Sequence, residues 1–161
     1  GQRVPRGAPQ AETPFDLQDL VQGALQQAVL AKRLREEVLR FKQEFSNAQL
    51  DHPLVLADYF KARESIAVKA LKLRDAMVTQ LIELASVVPV ERESYVNALN
   101  ILYSLNPYDI DSVLKTVAND SFIELYISLV LSAMYSRTGT PPTPVFVPVP
   151  SVPLQGTEQG R

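Results

Sequence analysis

Apolar residues recur every three or four positions through most of this chain, the period of a helix with one face turned inward. The first run carries Leu17, Leu20, Val21, Ala24, Leu25 and Ala28, then Leu34, Val38, Phe41 and Phe45. Thr13, Pro14 and Asp16 supply an N-cap, a first-turn proline and a dipole-compatible charge, predicting a helix over residues 14–45 with a weak point at Gly23. The charges of residues 32–44 fall on its solvated face. After SNAQLDHP, Asp51 or His52 stands ready to cap a second helix near Pro53, and residues 54–88 contain neither glycine nor proline. At ~1.5 Å per residue such a helix is on the order of 50 Å long, more than a compact domain of this size requires.

That helix carries Ile66, Leu73, Met77, Leu81, Leu84 and Val88 on one face, which needs a partner helix. Pro89 stops it, and Glu91 and Glu93 suit the first turn of a third helix with Val96, Leu99, Leu102, Tyr103 and Leu105 inward. The tight turn at Pro89 predicts an antiparallel αα-hairpin. Two helices bury too little alone, so a second copy is expected to complete a four-helix bundle. The dimer-interface candidates are Ile66, Leu73, Met77, Leu81, Leu84, Val96, Leu99 and Leu102. The alternative is that the first helix covers the hairpin within one monomer.

Asn106 and Pro107 break the returning arm, Asp109 or Asp111 caps a short helix to about Ala118, and Ser121 with Glu124 fits a capping box. The last helix is apolar around most of its circumference, so it requires burial on more than one side. Beyond Gly139, six of the twelve prolines fall between Pro141 and Pro153, among Val145, Phe146, Val147, Val149, Val152 and Leu154. A stiff apolar arm of this kind predicts docking on a neighbouring subunit rather than a core of its own. Its two PxxP patterns also suit an SH3 ligand, but Arg137 lies out of register for one.

A chain of 161 residues, 46% hydrophobic, is enough for one domain with a modest core. With no cysteine and only His52, disulfide, thiolate and histidine-based metal chemistry are not expected. The acidic residues are interleaved with lysines and arginines, and no nucleophile-elbow or phosphate-loop motif occurs, so no catalytic residue, cofactor, metal site or small-molecule substrate is expected. A net charge of −2 gives no net attraction to nucleic acid. No transmembrane run or signal-peptide core is visible, which predicts no membrane partner and an intracellular origin.

The order of these features resembles the core (capsid) protein of hepadnaviruses. Asp51-His52-Pro53 resembles the family's entry to its first spike helix, and Phe41-Lys42-Gln43-Glu44-Phe45 the end of the helix before it. Pro89, Arg92-Glu93, Val96-Asn97, Asn100 and Leu105 follow the family's series after the spike tip at the same spacing. Ile123-Glu124-Leu125-Tyr126 resembles its Leu-Glu-Tyr-Leu, and Arg137-Thr138 with Pro141-Pro142 its Arg-Thr-Pro-Pro with two residues inserted. The segment from Pro53 to Pro89 is longer than the family's, the spike cysteine is absent, and Phe146 is the nearest counterpart of the tyrosine after the double proline. These departures point to a distant relative such as the non-enveloped fish nackednaviruses.

The resemblance implies a capsid subunit that dimerises through the hairpin and assembles into an icosahedral shell enclosing a viral genome. Inter-dimer contacts would come from Phe122, Tyr126, Tyr135, Arg137, Pro141, Pro142 and Phe146. It implies location in the virion, and in the host cytoplasm during assembly. Viral nucleic acid would be held by a basic tail not present in this sequence. The expected organisation is a lead-in at 1–12, a helical assembly domain at 13–138 and a Pro-rich arm at 139–161. The rival reading is a cellular helical adaptor, resembling a BAG module, with a Pro-rich ligand tail. A retroviral-type capsid fragment is a third reading, but would not need so long a hairpin.

Overall fold

The computed structural model describes residues 16–138, with side chains through residue 135. Five helices follow in order: α1 Leu17–Phe45, α2 Pro53–Val87, α3 Arg92–Tyr103, α4 Ile110–Val117 and α5 Asp120–Thr138. No strand occurs among the described residues, and the chain is all-α as expected. The Thr13 and Pro14 start, the 1–12 lead-in and the 139–161 arm lie outside the described residues.

Local chemistry sets each helix start. The cap of α1 is Asp16, whose carboxylate accepts from the Gln18 and Asp19 N–H groups at 3.0 and 3.4 Å, and α1 then passes Gly23 without a break. His52 caps α2 through Nδ1, accepting from the Leu54 N–H at 3.2 Å, with Pro53 in the first turn. Glu91 caps α3 instead of sitting inside its first turn. Hydrogen bonds from the Ser94 hydroxyl and N–H, then from the Glu93 N–H, hold its carboxyl below the usual carboxylate range. Asp109 caps α4. The capping box read at Ser121 and Glu124 is not the device that opens α5. Asn119 Oδ1 accepts from the Phe122 N–H at 3.0 Å, and the helix already includes Asp120. The link from α4 is so short that Asn119 reaches the cap position first.

α1 is the central element, packed on α2, α4 and α5. Its N-terminal part lies by Gly23 beside Gln80, while Glu37 accepts from Lys69 at 2.7 Å and Phe41 and Phe45 meet Tyr59 at 5.3 and 5.5 Å between ring centroids. Residue numbers rise along α1 as they fall along α2, so the two run antiparallel. After Pro89 the chain returns along α2. Arg74 donates to the Leu105 carbonyl at 3.3 Å and Arg63 to the Tyr108 carbonyl at 3.1 Å. Arg35 pairs with Asp120 and Lys42 with Asp111, setting α1 against α5 and α4. The side chains of these two pairs are substantially exposed, so the pairs set register more than they add stability.

One apolar cluster runs through all five helices. Ala24, Ala28 and Ala31 of α1, with Ala67 and Ala70 of α2, are buried small residues that let the backbones approach closely. Leu34, Val38, Ile66, Met77, Leu81, Leu99, Leu102, Phe122 and Tyr126 fill the remaining volume.

Candidate functional site

The structure brings most of the expected interface residues together inside one chain. Ile66, Leu73, Met77, Leu81, Leu84, Leu99 and Leu102 are all buried in the single-chain core, and Val96 is half-buried against it. α1 covers this stripe, as the alternative arrangement weighed from the sequence anticipates. These side chains are therefore not a surface open to a second copy. Periodicity shows that a face must be covered but not by which helix. Phe122 and Tyr126, expected between dimers, are likewise buried. An almost wholly apolar helix satisfies its faces against the nearest helices, here α1 and α3. The Tyr126 hydroxyl donates to Gln80 Oε1 at 3.2 Å, and burial pushes its pKa well above that of an ordinary tyrosine.

Tyr135 differs, with 73% of its surface exposed near the end of α5, one turn beyond the exposed Leu131. The Arg137 side chain, Pro141, Pro142 and Phe146 lie outside the described residues. Tyr103, expected inward, is exposed, and Tyr95 is buried in its place. With Tyr95, Ala98, Leu99 and Leu102 inward, Tyr103 projects to one side.

The sequence reading missed a second apolar stripe on α2. Phe60, Val68, Leu71, Val78, Ile82 and Ala85 follow one another at helical spacings, with only Glu64 and Asp75 among them on that side. Phe60 is 52% exposed, Val68 and Ile82 are exposed, and Leu71, Val78 and Ala85 are half-buried, the last two packed against the edge of the core. The same spacing rule that found the inward stripe finds this one. A 35-residue helix apolar on two sides has one set of contacts inside the monomer and another available outside it. On α3, Val96 and Tyr103 are seven residues apart and share a side.

Clefts flank the helices among the described residues. One, of about 560 Å³, lies between α3 and α4 and is lined by polar groups including Asn100, Ser104, Asp109, Asp111 and Lys115. Another, of about 660 Å³, lies between α1 and α2 with Leu34 and Leu73 at its base. Among the described residues no cluster of three or more His, Cys, Asp or Glu side chains could hold a metal ion. No single described helix is long and apolar enough to cross a membrane. α4 and α5 reach that length and hydropathy only jointly, across a 54° bend.

These features define an all-helical protein whose longest helix keeps an apolar side outside its own core. No protein-family model, curated protein or solved structure matches the chain.

Proposed function

We propose that this chain is a viral capsid subunit of hepadnavirus-core type, non-catalytic, which pairs through an α2–α3 hairpin and joins pairs through the end of α5 and the arm that follows. The observation that carries the reading is the outer stripe of α2. From Phe60 to Ala85 it extends about 38 Å, and at a helix width of about 10 Å it offers roughly 400 Å². A stable interface takes about 800 Å² per partner. α2 alone falls short, so α3 contributes through Val96 and Tyr103, and a four-helix contact between two hairpins results. Contacts between copies thus use Phe60, Val68, Leu71, Val78 and Ile82, while the inward stripe holds each monomer together. Tyr135 is the described anchor between pairs.

Light scattering at low and high ionic strength tests this. Pairs at low salt and megadalton particles at high salt are expected, because salt screens like-charge repulsion while apolar contacts persist. A strictly monomeric protein under both conditions would overturn it. That outcome supports the adaptor reading, which draws on α1 closing the hairpin within one chain.

A further inference from the structure

The cleft between α1 and α2 has a polarity that assembly does not require. At one end, Leu30 and Ala76 form an apolar trough edged by Gln27, with Leu34 and Leu73 continuing its floor. Beside that floor and toward the other end stand Arg33, Arg40, Lys69 and Lys72 with Glu36 and Glu37, four cations against two carboxylates, on a chain whose net charge is −2. Glu37 is already engaged by Lys69 at 2.7 Å and by the Ser65 hydroxyl at 3.4 Å. Arg33, Arg40 and Lys72 have no carboxylate within ion-pair distance among the described residues. Three cations without partners, against the single unpaired carboxylate of Glu36, therefore border a trough that leaves Leu30 exposed.

We propose that this cleft binds a single-chain amphiphile with an anionic head group. Its alkyl tail lies on Leu30, Leu34, Leu73 and Ala76, and its head is held by Arg33, Arg40 and Lys72. The charge is of the right sign, and guanidinium groups can grip an oxyanion with paired donors. The volume falls in the range of small-molecule sites. The end-to-end asymmetry favours an amphiphile over a nucleic-acid backbone, which would call for cations along the whole groove. The cleft lies on the α1 flank of α2, away from the outer stripe, so this inference is independent of the capsid reading.

Dodecyl phosphate, titrated into the full chain below its micelle concentration and followed by amide chemical shifts and calorimetry, tests the proposal. Saturable binding is expected, with shifts centred on Leu30, Leu73 and Ala76. Dodecyl maltoside and inorganic phosphate should each bind at least about tenfold more weakly, since each offers one half of the recognition. The triple variant R33S/R40S/K72S should lose about tenfold or more, while R33K/R40K/K72R, which keeps the charge but not the arrangement of paired donors, should lose less. All six substitutions are at cleft-lining surface positions, and circular dichroism verifies the fold. Equal binding of dodecyl maltoside, undiminished binding by the triple serine variant, or shifts centred on Val68 and Ile82 would each overturn the proposal.

Discussion

The Tyr126 hydroxyl lies 3.2 Å from the side-chain carbonyl oxygen of Gln80, tying α5 to α2 at a point where Gly23 of α1 also closes in. Tyr126 is fully buried, so this is the polar end of an otherwise apolar plug. Removing the hydroxyl alone, in Tyr126→Phe, should cost about 0.5–1.5 kcal/mol, the usual net worth of one hydrogen bond. Tyr126→Ala should cost about 3–5 kcal/mol through the cavity it opens. Urea titration measures both, and equal losses would refute the assignment of the ring as the main filler.

Alkaline pH should weaken the fold. Burial raises the hydroxyl pKa of both Tyr126 and Tyr95 above the ordinary value of 10.0. Above that value the unfolded chain releases protons that the folded chain retains, so stability falls as pH rises until the folded hydroxyls titrate. Urea midpoints should drop between about pH 9 and pH 11, and Tyr126→Phe should shrink the drop. An unchanged drop in the variant would show that Tyr126 is not a source of it.

Gly23 sits within the continuous α1 helix, and a Cβ there would come 3.2 Å from Gln80 Nε2. The obstructing atom is the tip of a flexible side chain. Gly23→Ala should therefore stabilise by up to about 1 kcal/mol from helix propensity. Gly23→Leu should destabilise, because its branch enters the space occupied by Gln80. Thermal melts of the two variants should move in opposite directions.

The two faces of α2 should respond differently to substitution. Met77→Ala, in the inward stripe, should cost about 2–5 kcal/mol at any protein concentration. Ile82→Glu, in the outer stripe, should leave the helical signal intact and convert pairs to monomers in sedimentation. Ile82→Glu that unfolds the monomer would place that side chain in the core instead.

Asp109 receives the Asp111 and Ser112 N–H groups at 3.0 and 3.3 Å at the head of the eight-residue α4. So short a helix has few other local contacts to retain it. Asp109→Ala should cost about 0.5–2 kcal/mol, read from chemical denaturation.

Several helix boundaries were legible because they depend on neighbours in sequence: His52 before Pro53, Pro89 after α2, and Asp109 before α4. The start of α5 was not. Ser121 and Glu124 have the spacing of a capping box, yet Asn119 caps the helix two residues earlier through the Phe122 N–H, and that earlier start turns on how α4 ends. Tyr95 stands inward where Tyr103 is expected, for a similar reason. Both fit an apolar pattern, and only the positions of α2 and α5 around α3 make one inward and the other exposed.

The sequence by itself determined the all-helical class, the number and approximate extent of the helices, and the presence of more apolar faces than a hairpin could use. Those are matters of local propensity and period, which each segment carries alone. Tertiary structure decided which face meets which partner. It gave the Ile66 to Leu84 stripe to α1, placed Tyr126 in the core, and left Phe60, Val68, Ile82 and Tyr135 outside. The physical reason is that burial is non-directional: an apolar stripe specifies that it must leave water, whereas chain connectivity and the close approach allowed by Ala24, Ala28 and Ala31 select the surface that receives it.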